Sequence, residues 1–247
     1  MGRKKEKPAT IVSPAAAAEQ EHLSMVETLI QQGLHAIGEY DYEVARTALT
    51  EACELSGGAE AAVRALLVLL VDHLAAYQEA LEIGDHLSRE ALASPAVQLT
   101  LGLAAARSGA PQRARAHVAR LDGVGAAEIL IVLAEAALAI GELDEAAHLC
   151  DEIRSCARSH PSVQPLARRL AQAREAVRQP LEAVIVQKVA EGRIDEAELL
   201  AEQLLASFPE SAAARHAVSA ARGRKPRRPA AQCTSRAWRS LRRRSSR

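Results

Sequence analysis

The chain has 247 residues, of which 49% are hydrophobic, 25% charged and only 2% aromatic. That length suits one to two ordinary domains and excludes a mini-protein. Thirteen glycines and ten prolines fall below the range of linker-like or collagenous sequence, so most of the chain is expected to fold. The four cysteines form no CxxC pair and follow no secretory signal, which points away from a disulfide framework and towards a reducing, cytoplasmic setting.

A formal net charge of zero conceals a strong segregation. Residues 222–247 carry eleven Lys or Arg and no acid, residues 1–7 are net +3, and the stretch between them is net −14. Such asymmetry bears on partners and solubility, not on fold. After the basic start, Pro8 to Glu21 supplies only Ile11, Val12 and four alanines, too little apolar content for a signal peptide. The position that N-myristoylation reserves for Ser or Thr is Glu6. The longest strongly apolar run, Ala65 to Val71, is far below the roughly 20 residues a membrane helix needs, so no membrane partner is expected.

In chain order, residues 1–20 read as a disordered basic and alanine-rich arm. From about Leu23 the pattern turns helical and repeats itself. Gly141-Glu142-Leu143-Asp144-Glu145-Ala146-Ala147 returns as Gly192-Arg193-Ile194-Asp195-Glu196-Ala197-Glu198, with looser relatives at Tyr40 to Arg46 and Ala75 to Leu81. Aligning on one alanine gives Ala45, Ala80, Ala114, Ala146 and Ala197, and other columns keep step with them. Three residues earlier stand Tyr42, Tyr77, Pro111, Leu143 and Ile194; seven residues later stand Ala52, Leu87, Leu121, Ile153 and Leu204. Each unit is therefore expected to be an apolar-faced helix, a short turn and a second helix whose alanine permits close approach.

This pattern resembles the tetratricopeptide repeat, a 34-residue helix-turn-helix unit. The likeness covers about Leu23 to Ala221 and is strongest in Ala126 to Ile153 and Leu181 to Pro209. It departs from the family in lacking the large aromatic of the first helix and in keeping the closing Pro only once, at Pro209. The resemblance implies an all-α fold, a right-handed superhelical solenoid of about five such hairpins over residues 21–221. One hairpin cannot bury its apolar face alone, and a stack can. The long interval before Ala197 is expected to hold an extra helix, Ser162 to Arg178, bracketed by Pro161, Pro165 and Pro180. Pro209 and Glu210 are expected to open a final, more polar helix.

Residues 222–247 read as a disordered basic tail. It is either an arm for nucleic acid or an anionic surface, or the out-of-frame product of a GC-rich gene or a truncation, since it lacks any acidic residue; its single aromatic, Trp238, gives base stacking little support.

No catalytic set emerges: no phosphate-cradling glycine loop, no nucleophile with a base, no paired acid and base outside helix starts. His148, Cys150, Cys156 and His160 are the one cluster that invites a metal. Residues two apart on a helix do not share a face, and Cys150 falls in a column reserved for apolar groups. Neither enzyme activity nor a cofactor or metal is expected.

The resemblance implies instead a concave face built from the first helix of each unit. By position, that groove comprises Ile30, Leu34, Ile37, Leu69, Leu99, Leu103, Ile131, Leu138 and Val186. It is apolar and lacks the Lys, Arg and Asn of the family members that clamp acidic chaperone tails. The expected function is a non-catalytic scaffold or adaptor holding a peptide or an amphipathic helix in this groove. The alternatives are the N-terminal regulatory module of a longer protein, truncated or frameshifted, and a nucleic-acid-associated protein acting through the tail.

Overall fold

The computed structural model describes residues 14–224, and every regular element in them is a helix. They are α1 (Pro14–Gly38), α2 (Tyr42–Leu55), α3 (Glu60–Val68), α4 (Tyr77–Asp85), α5 (Arg89–Ala93), α6 (Pro95–Arg107), α7 (Pro111–Val118), α8 (Gly123–Ile140), α9 (Leu143–Cys156), α10 (Val163–Ala190), α11 (Ile194–Ser207) and α12 (Ala212–Arg224). The fold class is all-α. Compactness divides the chain between Ala173 and Arg174 into two units, where a single repeat domain over 21–221 was expected.

Both ends of the helical region reach further than the sequence suggests. Helix α1 begins at Pro14, inside the assigned arm, because Pro is pre-organised for the first helical position and the alanines after it are the best helix formers. Residues 1–13 lie outside the described residues. At the other end α12 runs through Arg222, Gly223 and Arg224, where the cation of Arg222 complements the helix C-terminus. The remainder of the expected tail lies outside the described residues.

One turn geometry recurs five times. Tyr40, Ala75, Gly109, Gly141 and Gly192 all hold left-handed backbone, with φ of 62°, 51°, 77°, 82° and 80°. Each residue that follows has φ between −107° and −78° and ψ between 57° and 76°. Each turn stands five residues ahead of one of the aligned alanines, and Ala45, Ala80, Ala114, Ala146 and Ala197 have no exposed surface at all. In four of the turns the N–H after the left-handed residue donates to the carbonyl five residues back, Asp41 to Ala36, Ala110 to Ala105, Glu142 to Ala137 and Arg193 to Lys188, at 2.9 Å each. This is the bond that terminates a helix on a left-handed residue. In the remaining turn Ala76 reaches Leu70 at 2.8 Å, one residue further, because Leu69–His73 forms a wide π turn. Such a turn absorbs an extra residue without ending the helix.

In the first unit α1 packs on α2 and α3, α3 on α6, and α6 on α8, while α2, α4, α7 and α9 lie against the members of this series. Small residues set the spacing. A Cβ placed on Gly102 would sit 2.2 Å from Ile129 Cδ1, and one on Gly33 would sit 2.5 Å from Leu49 Cγ. Helix α8 is long and apolar enough to cross a membrane by length and composition, a feature the sequence reading passes over because Glu128 and Glu135 interrupt its apolar run. Here it packs between neighbours, with Ile129, Leu130, Leu133 and Ala134 buried in the core.

Polar contacts repeat at the same interval as the turns. Arg46 with Glu79 at 2.6 Å, Ser94 with Glu60 at 2.6 Å, Arg107 with Asp72 at 3.0 Å and Arg169 with Glu135 at 2.7 Å join residues 33, 34, 35 and 34 apart. Arg107 also donates to the Val71 carbonyl of the π turn at 3.3 Å. The three Arg–carboxylate pairs, being largely exposed, contribute about 0–1 kcal/mol each, so they orient successive hairpins more than they stabilise them.

The expected extra helix and the first helix of the last hairpin form one continuous helix, α10, with Pro180 inside it. Proline forfeits one backbone hydrogen bond there without ending the helix. The second unit packs Ile185 of α10 against Ala197, Ala201 and Leu204 of α11 and Ala214, Ala217 and Val218 of α12, with Phe208 between them. Ser211, not Pro209 or Glu210, starts α12: its hydroxyl accepts from Ala214 N at 3.2 Å and donates to Glu182 at 2.5 Å.

Candidate functional site

A groove of about 500 Å³ lies in the first unit between the α6–α7 and α8–α9 hairpins. Its α6–α7 side is built by Ala106, Gly109, Pro111 and Gln112. Leu133, Ala136, Ala137 and Ile140 of α8 form the other side, with Leu149 of α9 behind them. Two turns place these residues. Gly109 and Gly141 end their helices in left-handed backbone, and Ile140, directly before Gly141, is 71% exposed. A single exposed apolar side chain is ordinary; what Ile140 adds here is apolar surface continuous with the groove lining.

The polar edge of the groove is an ion pair. Arg115 donates to Glu145 at 2.7 Å and sits 3.3 Å from both carboxylate oxygens of Glu152. The hydrogen bond to Glu145 raises the guanidinium pKa above its ordinary value, and burial opposes it in part. Arg115 therefore stays charged and pre-oriented, an anchor for α7 and not a proton donor.

None of the nine residues expected to form a groove lines this one. Leu69 has no exposed surface and Ile131 only 8%, so neither presents a side chain to a partner. The π turn draws Leu69, Leu70 and Val71 into the core, and α8 has neighbours on two sides. Ile30, Ile37, Leu99, Leu103 and Leu138 are half-buried against that same core. Leu34 and Val186 are exposed, at 45% and 56%, and they belong to different units. Ala136 and Ile140 escaped the sequence reading, although an isoleucine directly before a turn glycine was the available signal.

A second, smaller groove of about 230 Å³ lies within the second unit, where Val177, Leu181 and Val184 of α10 face Leu200 and Leu204 of α11. Val177, Leu181 and Val184 are all exposed.

The histidine and cysteine cluster disperses into separate roles. His148 lies on the surface with Nδ1 3.3 Å from Glu152, Cys150 is buried in the core, the Cys156 thiol donates to the Ile153 carbonyl at 3.5 Å, and His160 Nε2 is 3.1 Å from Glu128. Among the described residues no three His, Cys, Asp or Glu side chains are gathered as a metal would require.

One buried polar pair stands apart. Gln98 of α6, 2% exposed, donates from Nε2 to the Leu92 carbonyl at 2.5 Å, which leaves its Oε1 facing His117 Nδ1 of α7 at 2.7 Å. The ring is thereby held as the Nδ1–H tautomer. Burial lowers the His117 pKa, with Arg120 and Arg113 adding to the effect, so the pair is a neutral brace between the two helices.

No known protein family, curated protein or solved structure matches this chain.

Proposed function

We propose that the chain is a non-catalytic, cytoplasmic protein-binding scaffold of tetratricopeptide type. Its hairpins would follow one another as a right-handed superhelical solenoid and hold an apolar peptide or helix segment. The observation that carries the repeat reading is the recurrence of one left-handed turn five residues ahead of five fully buried alanines. An ordinary helical bundle has no reason to repeat a turn at a fixed offset; a repeat architecture requires it. The binding reading rests on the α6–α9 groove, whose apolar lining and exposed Ile140 suit an inserted apolar side chain.

Selection of a displayed random-peptide library on the full chain tests this. Selected peptides should carry a recurring apolar anchor. Ile140→Glu and Ala136→Glu should each weaken them by about tenfold or more, the loss of one buried apolar side chain, with helix content unchanged by circular dichroism. Peptides that bind both variants as tightly as the parent chain would overturn the assignment of the groove.

A further inference from the structure

The net negative charge of the first unit is confined to its first half. Residues 19–90 contain fourteen Asp or Glu and three Arg, whereas residues 91–173 contain eight of each sign. One of those three arginines, Arg46, is bonded to Glu79. Later hairpins return a cation to Asp72 and Asp85 through Arg107 and Arg113. Nothing comparable reaches α2: among the described residues Glu43 and Glu51 pair with no basic side chain.

These two carboxylates flank a shallow apolar groove of about 370 Å³ on the α1–α2 hairpin. Its floor is Leu29 of α1 with Val44 and Ala48 of α2, and Val44 is 52% exposed. Positions 44, 48 and 51 form one stripe of α2 at helical spacing. A different stripe of the same helix, Ala45, Leu49 and Ala52, is wholly buried, and it is α3 and the π turn that pack on α1 and α2 from among the described elements. The hairpin therefore accepts a third helix on one face and presents a second furrow with an apolar floor and an acidic rim.

We propose that this furrow docks a basic amphipathic helix of another polypeptide, with Leu or Ile at i, i+3 or i+4 on the floor and Lys or Arg beside Glu43 and Glu51. Two parallel ridges with an apolar trough between them match the stripe of a helix. The local excess of carboxylates sets the sign of the partner: it repels anionic surfaces and nucleic acid, and steers a cationic segment. This site is separate from the α6–α9 groove, and neither assignment depends on the other.

The probe is a fluorescein-labelled Leu/Lys amphipathic helix of about five turns, with a Leu/Glu helix of the same length as its partner control. Binding to the full chain is followed by anisotropy at about 0.15 M salt. Val44→Glu places a charge on an exposed position of the floor and should weaken the Leu/Lys helix by about tenfold. Glu43→Gln with Glu51→Gln should weaken it several-fold, while Glu82→Gln with Glu90→Gln, the same charge change on exposed residues of the same acidic half, should leave it within about twofold. The Leu/Glu helix should not bind. Equal losses from the two double variants would reduce the effect to a diffuse field and overturn the site, as would a Val44→Glu chain that binds unchanged. Trp238 is the only tryptophan. A shift in its emission on Val44→Glu in the absence of peptide would name residues 225–247 as the occupant and overturn the assignment to another polypeptide.

Discussion

Tyr40 and Gly141 hold the same left-handed backbone, φ 62° and 82°, each five residues ahead of an alanine that is completely buried, Ala45 and Ala146. Glycine takes this conformation freely; a side chain with a Cβ is disfavoured in it by about 1–2 kcal/mol. Two of the five turns, at Tyr40 and Ala75, carry that cost because the packing of the flanking helices dictates where the chain must reverse.

Replacing Ala75 with glycine should therefore stabilise the protein by about 1 kcal/mol, relief of the left-handed strain exceeding the added flexibility of the unfolded chain. Gly141→Ala should cost a similar amount. Denaturant midpoints of the two variants should move in opposite directions, and a loss of stability in Ala75→Gly would contradict the account of the turn.

Among the glycines of the described residues, Gly102 leaves the least room for a side chain. An added methyl would lie 2.2 Å from Ile129 Cδ1 and 3.0 Å from His117 Cβ, so Gly102→Ala should destabilise by about 1–3 kcal/mol through overpacking. Gly38 has nothing within 4 Å of such a methyl, and Gly38→Ala should be neutral or mildly stabilising. Ile129→Val removes the clashing Cδ1 and should recover part of the loss in the double variant, which makes the pair a test of contact and not of helix propensity.

His117 links stability to pH. Its folded pKa lies below the ordinary 6.5, so the unfolded chain takes up the proton first. The contribution is whole above about 6.5, declines as pH falls below that value and stops changing once pH is under the folded pKa. Urea midpoints measured from pH 8 to pH 5 should fall less steeply for His117→Gln than for the parent chain. Identical slopes would remove His117 from the acid response.

Burial, assisted by Glu54, pushes the Cys53 thiol up to about 11. Thiolate is the reactive species, so at pH 8 alkylation of Cys53 should be much slower in the folded chain than in denaturant. Peptide mapping of the Cys53 iodoacetamide adduct over time, with and without urea, checks the difference.

Legibility followed the range of the interactions. The five alanines and the turns before them were readable because a helical hairpin closes through contacts a few residues apart, and the small residue it needs must recur at a fixed phase. The all-helical class followed from the same periodicity. The helix ends at Pro14 and Arg224 were misjudged because a run of alanines and a terminal arginine look like tail by composition and behave as helix by propensity and dipole.

The groove was another matter. Leu69 and Ile131 occupy positions that the repeat pattern marks as presentable, and both are core. A side chain on a first helix is exposed or buried according to how closely the next hairpin approaches, and Gly102, the π turn at Leu69–His73 and the arginines that bridge hairpins determine that approach. Likewise Glu43, Val44 and Glu51 are unremarkable along the chain. They become an acidic-rimmed furrow only where α1 lies beside α2, because a surface is made by neighbours in space, and periodicity within one helix does not specify which neighbours those are.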